Sequence, residues 1–163
     1  MHLNDKKKLV ENIIEILQSQ ADNLQNAAKT AREDATNEES KSENKYDTRG
    51  LEASYLSGAQ AAMAIEIKQN IAVYKAIDLY EFNENSKIAL TAFIELESED
   101  GMRSFYFLGA KAGGTEIKFN NMQILLITPS SPMGKSLIGR QIGDEFEINA
   151  GNLKKHYEII NIS

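Results

Sequence analysis

Glu33–Asp47, EDATNEESKSENKYD, stands between two long helical patterns and sets six carboxylates (Glu33, Asp34, Glu38, Glu39, Glu43, Asp47) against two lysines (Lys41, Lys45). Upstream of it the apolar residues fall on one heptad track: Val10, Ile14, Leu17, Ala21, Leu24, Ala28, Ala31 and Ala35, with steps alternating between four and three. No glycine or proline interrupts residues 1–49. One helix of about 30 residues, roughly 45 Å long, is therefore expected. Its seam is narrow and shrinks from Ile and Leu to Ala toward the acidic stretch, which suits a single closely packed partner helix better than a broad core.

That partner is expected at about Tyr46–Tyr74, where Leu51, Tyr55, Gly58 or Ala59, Ala62 and Ile65 repeat at helical spacing. Folding back around Ser40 sets Ala62 near Ala21 and Ile65 near Leu17, so the acidic stretch becomes the tip of an antiparallel hairpin. Asp47 or Thr48 is placed to cap the second helix. Gly50 and Gly58, each costing up to ~1 kcal/mol relative to Ala, read as close-packing points of the hairpin. The same seams would also serve a parallel dimeric coiled coil, and a plain solvated turn would show a similar run of charge. Lys6, Lys7 and Lys8 near the start read as a solvated helix face, with contact to the acidic rim of a partner as the alternative.

Beyond about Tyr74 the period changes. Ile88–Ser98 (IALTAFIELES) and Arg103–Gly109 (RSFYFLG) alternate or run apolar, with aromatic and β-branched residues, around the turn signal Glu99-Asp100-Gly101. Ala112-Gly113-Gly114 marks a second turn, followed by strands at Thr115–Phe119 and Met122–Thr128. Glu145–Ile148 and Tyr157–Ile162 supply two more around Asn149–Asn152. The expected class is α+β: an antiparallel coiled-coil hairpin over residues 1–75, then a small antiparallel β domain over residues 76–163. One short helix near Gly134–Leu137, introduced by Pro129 and Pro132, completes that domain.

Composition narrows the function. At 163 residues, 42% hydrophobic and 26% charged, the chain has the make-up of one or two small soluble domains. No apolar run approaches the ~18 residues of a membrane span, and MHLNDKKKLVENII lacks a signal-peptide core, so a cytoplasmic location and no membrane partner are expected. The absence of cysteine excludes disulfides, thiol catalysis and cysteine zinc sites, and His2 and His156 stand alone. A net charge of −6 argues against direct DNA binding, and contact with nascent RNA is expected only through a partner. Gly134-Lys135-Ser136 lacks the upstream glycine of a phosphate loop, and no G-x-S-x-G elbow occurs, so no enzyme of its own is expected.

The C-terminal segment carries a resemblance. Ser131-Pro132-Met133-Gly134-Lys135-Ser136-Leu137-Ile138-Gly139, then Gly143-Asp144-Glu145-Phe146-Glu147, then Tyr157-Glu158-Ile159, resembles the end of the bacterial Gre transcript-cleavage factors (GreA and GreB) nearly position by position. The hairpin with its acidic turn near residue 40 is laid out in the same way. The resemblance implies an FKBP-like C-terminal domain that docks on the rim of the secondary channel of RNA polymerase, and a coiled coil that passes through the channel. In that family two tip carboxylates help to hold the second active-site Mg²⁺ and orient a water, so the polymerase cleaves its own backtracked transcript. The factor then has no cofactor of its own; the Mg²⁺ is shared with RNA polymerase in the complex.

Carried over by position, Glu43-Asn44 matches the family's Glu-Asn. The family's Asp three residues before that Glu is replaced here by Ser40, and Glu39 stands one residue earlier. The resemblance therefore implies Glu43 and Glu39 as assisting catalytic and metal-holding residues, with Glu38 next. Asn44 and Tyr46 would shape the tip, and Ser131, Pro132, Met133 and Gly134 would contribute to binding. The displaced acid equally fits a non-catalytic regulator occupying the same channel. A homodimeric coiled-coil adaptor unrelated to polymerase is a third reading.

Overall fold

The computed structural model describes residues 1–36, 49–150 and 153–163. Two long helices come first, α1 (Leu3–Thr36) and α2 (Arg49–Lys75). Strands β1 (Phe93–Ser98), β2 (Arg103–Leu108), β3 (Glu116–Phe119) and β4 (Met122–Ile127) follow, then the short helix α3 (Pro132–Leu137) and strands β5 (Glu145–Ala150) and β6 (Leu153–Ile162). The class is α+β, with a helix hairpin ahead of a sheet domain. The chain divides into two compact units, Ile14–Lys75 and a second made of Met1–Ile13 with Ala76–Ser163. The division at residue 75 thus coincides with the end of α2, while the first three turns of α1 fold with the sheet. Among the described residues no helix is long and apolar enough to cross a membrane.

In the helical unit, α1 buries the expected track: Leu17, Ala21, Ala28 and Ala31 are buried, with Leu24 half-buried. The expected seam of α2 is overturned. Leu51 is 57%, Tyr55 72% and Ile65 59% exposed, and Gly58, Ala59 and Ala62 face solvent as well. The side turned inward is Ala53, Ser57, Gln60, Ala64, Ile67, Ile71 and Tyr74, a second four-and-three track offset by two residues. Ser57 Oγ donates to the Ala28 carbonyl at 2.9 Å, and Lys68 Nζ donates to Gln25 Oε1 at 2.9 Å. Counting from the Ser57–Ala28 bond, Ala64 rather than Ala62 falls opposite Ala21. The first half of this track, Ala53, Ser57, Gln60 and Ala64, is small and polar because α1 offers mostly alanine there, and close approach of two backbones suits small side chains. Ile67, Ile71 and Tyr74 make its second half large. Gly58 is not a packing point of the hairpin: a Cβ built there meets nothing within 4 Å.

The sheet runs in the order β3-β4-β2-β1-β6-β5. Four of its pairings are antiparallel, and β2 with β4 is parallel, Phe105↔Ile124 through Leu108↔Ile127. The parallel pair overturns the expected all-antiparallel sheet. The β3–β4 hairpin instead lays its second strand beside β2, so β2 and β4 run the same way. One face packs Ile94, Leu96, Leu108, Ile127, Ile159 and Leu137 into a core, with Phe82, Met133 and Tyr157 against it. On alternate residues Phe93, Phe107, Ile124 and Leu126 are buried too. The start of α1 belongs to this unit: Leu9, Val10 and Ile13 are buried, and Asn12 Nδ2 donates to the Lys118 carbonyl of edge strand β3 at 3.1 Å.

Residues 88–92, expected as strand, are not. Thr91 adopts a left-handed φ of 70°, unusual for a β-branched residue, and β1 begins only at Phe93. Lys6 is the larger surprise: Lys7 and Lys8 are exposed, but Lys6 has no exposed surface. Its Nζ donates to the Tyr80 carbonyl at 2.7 Å and the Thr91 carbonyl at 3.1 Å, and lies 4.4 Å from the centre of the Phe82 ring. Desolvation lowers its pKa to about 8, against an opposing pull from Glu81.

Candidate functional site

Ser131, Pro132, Met133 and Gly134 come together as the first turn of α3. Ser131 sits in extended backbone, φ −67° and ψ 154°, as the N-cap; its Oγ accepts from Gly134 N–H at 3.0 Å and donates to the Thr128 carbonyl at 2.7 Å. Pro132 follows at the first helical position, where its missing N–H leaves nothing unsatisfied. The Thr128 carbonyl also accepts from Ser131 N–H at 3.0 Å, so one oxygen receives both the backbone and the side chain of the cap. Gly134 presses against this oxygen: a Cβ there would lie 2.0 Å from Thr128 O and 2.8 Å from Thr128 C. Only glycine fits the close approach.

The other end of the helix is held as firmly. Ile138 N–H donates to Gly134 O at 3.0 Å, and Gly139, at φ 81°, donates to Ile88 O at 2.9 Å. Arg140 Nε donates to Ser136 O at 2.6 Å and its Nη1 to Glu145 O at 3.1 Å, with the guanidinium 5.4 Å from the centre of the Phe146 ring. Inside, Leu137 is fully buried and Met133 packs against the core. Outside, Pro129, Ser130, Pro132 and Lys135 are exposed, and Ile138 is 45% exposed. The turn is thus a rigid platform with an apolar and singly basic outer surface, suited to docking rather than to chemistry. Burial thus sorts Met133 and Leu137 to the core side of the motif and Ile138 to its surface.

Chemistry is not visible in the other described side chains. A shallow depression of about 340 Å³ by the β1–β2 turn is lined in part by Arg103, Lys154, His156, Tyr106 and Tyr157. Arg103 is engaged by Glu95 at 2.9 Å and Glu97 at 3.4 Å, and Lys154 by Glu147 at 2.9 Å, which holds the Lys154 pKa up and the Glu147 carboxyl down. Among the described residues no group of three His, Asp or Glu is placed to hold a metal ion. The expected tip residues Glu38, Glu39, Glu43, Asn44 and Tyr46 lie outside the described residues.

A family model described as transcription elongation factor GreA/GreB, C-terminal, matches residues 83–163. Among curated proteins the chain is 28% identical over 98 residues to the transcription elongation factor GreA of Verminephrobacter eiseniae, covering 60% of this chain and 59% of that protein. It is 31% identical over 99 residues to GreA of Sinorhizobium medicae, covering 60% and 58%. The matched stretch therefore spans less than two thirds of either relative. Among solved structures, Gfh1 of Thermus aquaticus is similar at 26% identity, with 96% of this chain and 94% of that chain covered and a TM-score of 0.41.

Proposed function

The chain is a divergent member of the GreA/GreB family of transcription elongation factors, and on that premise we propose that it binds RNA polymerase through residues 76–163 and stimulates cleavage of backtracked transcripts. The match over residues 83–163 carries this reading, because it covers the sheet and the α3 platform together. In this reading Ser131–Gly134 fix the platform's shape, and Pro132, Lys135 and Ile138 meet the polymerase. The hairpin is a spacer. α1 alone, 34 residues long, reaches about 50 Å at 1.5 Å per residue.

The stretch 33–47, between the two helices in the sequence, brings a surplus of carboxylates. Glu39 and Glu43, with Glu38 in reserve, are hard oxygen donors of the kind Mg²⁺ takes. When bound, such an ion polarises phosphoryl oxygens and lowers the pKa of a water. The hydrolysis remains the polymerase's; the chain lends ligands and is not itself the enzyme.

The replacement of the family's tip Asp by Ser40 favours a second reading, a non-catalytic regulator that occupies the same channel. A stalled, backtracked elongation complex with Mg²⁺ separates the two. Added protein is expected to release short 3′ fragments, and Glu43→Ala to slow their release about tenfold or more, the order of effect when a group that orients a metal site is lost. Binding without any cleavage would select the second reading. Cleavage unchanged in Glu43→Ala would remove this residue from the assignment.

A further inference from the structure

The two edges of the sheet are finished differently. β3 is four residues long and carries a lysine, and its Lys118 carbonyl accepts from Asn12 Nδ2 of α1 at 3.1 Å. Shortness, a lysine and a covering element are the usual guards of a sheet edge. β5, at the other end of the strand order, has six residues, no lysine and no proline.

The outward backbone groups of β5 can be named. The Asp144 carbonyl accepts from Ile159 N–H at 3.1 Å, so by the alternation of an antiparallel ladder Phe146 and Ile148 face β6, while Glu145, Glu147 and Asn149 turn away from it. Arg140 Nη1 reaches the Glu145 carbonyl from that outer side at 3.1 Å. Among the described residues nothing bonds the backbone N–H or carbonyl of Glu147 or Asn149. Such an edge can take one more strand.

The side chains beside the edge select that strand. Glu145 stands directly opposite Glu158 on β6, and Glu158 opposite Glu97 on β1, so three carboxylates form one row across neighbouring strands. Like charges in register are unfavourable. Arg103 Nε meets the far end of the row, 3.4 Å from Glu97, but among the described residues no cation pairs with Glu145 or Glu158. The row borders a depression of about 310 Å³ that Glu99 and His156 also line. These acids are not gathered as metal ligands, since among the described residues no three His, Asp or Glu are placed to hold an ion. Strung out beside an open edge, they match the long cationic side chains of an extended segment. A second copy of β5 is the wrong occupant: two-fold pairing of the edges adds the other copy's Glu145 and Glu147 to the same face of the joined sheet, where cations are already lacking.

We infer that β5 is a docking edge for an extended basic segment of another protein, which pairs with the free backbone of Glu147 and Asn149 and sets Arg or Lys side chains over Glu145 and Glu158. Neighbouring strands lie about 4.8 Å apart, so a long cationic side chain on the added strand spans β5 and reaches β6. The alternate positions of the segment fall on the other face, beside the half-buried Ile148, and suit apolar residues. This inference does not rest on the polymerase reading, which uses the outer surface of α3.

The capped peptide Arg-Val-Arg-Val-Arg-Val, titrated into the full chain at low salt, tests the docking edge. Saturable one-to-one binding is expected, with amide hydrogen exchange at Glu147 and Asn149 slowed at least tenfold. The double variant Glu145→Lys, Glu158→Lys is expected to weaken binding at least tenfold. Asn149→Pro, which removes an outward N–H and leaves the bonds of Phe146 and Ile148 to β6, is expected to do the same. The peptide N-methylated at its arginines keeps its charge but loses the N–H groups that face β5, and is expected to bind at least tenfold more weakly. Equal affinity for the N-methylated peptide would reduce the attraction to charge alone and overturn the proposal. So would unprotected amides at Glu147 and Asn149, or unchanged binding in the double variant. Protection of the same two amides by self-association, without peptide, would give the edge to a second copy instead.

Discussion

Gly134→Ala is expected to destabilise the sheet unit by about 3 kcal/mol, the upper end of the usual overpacking range. The added methyl would lie 2.0 Å from a backbone carbonyl oxygen, and that oxygen already accepts from both the N–H and the Oγ of Ser131. A flexible side chain could swing away, but Thr128 is the exit of β4 and cannot shift without straining the strand. The available relief is for α3 to unwind, which frees Gly134 from the capping Oγ at 3.0 Å and pulls Leu137 from the core. Urea unfolding followed by the near-ultraviolet signal of the tyrosines checks this, with Lys135→Ala as control. The neighbouring lysine is exposed, and its replacement is expected to stay within about 0.5 kcal/mol of wild type.

The second large effect is on the dependence of stability on pH, and it comes from Lys6. Its pKa in the folded chain is lowered to about 8 by burial, below the ordinary lysine value of 10.5. Between these two values the unfolded chain binds more protons than the folded one, so stability must rise with pH there. The charged form carries the penalty in full below about pH 8, and the penalty is relieved as pH climbs toward 10.5. Deprotonation keeps the contacts, because a neutral amine still has two N–H groups for the Tyr80 and Thr91 carbonyls. From about pH 7.5 to 9.5 wild type is expected to gain about 2 kcal/mol relative to Lys6→Met, whose profile lacks this titration. Parallel profiles for the two proteins over that range would show that Lys6 is not desolvated as described.

What the sequence disclosed follows the range over which each signal acts. The α1 seam was legible because Leu17, Ala21, Leu24, Ala28 and Ala31 keep one four-and-three track among mostly polar neighbours. α2 was misread because it has two four-and-three tracks, and the one with large residues in its first half, Leu51, Tyr55 and Ile65, is the one left in solvent. The β1–β2 hairpin announced itself by its turn, with Gly101 at positive φ. The parallel β2–β4 pairing has no local signature at all. Lys6 was hidden in a run of three lysines, and nothing short of the fold could show that Tyr80, Phe82 and Thr91 converge on it. The platform at Ser131–Gly134 was legible as a motif, since cap, proline and glycine are each demanded locally. The reason Gly134 must be glycine, the Thr128 carbonyl, was not.

On the proposed reading the α3 platform meets RNA polymerase, and an equilibrium titration of core polymerase with the labelled chain tests this contact most directly. Saturable one-to-one binding is predicted, weakened at least tenfold by Ile138→Asp, which puts a charge on an exposed apolar part of the platform without touching the core. Absence of binding at micromolar polymerase, or equal affinity for wild type and Ile138→Asp, would contradict it.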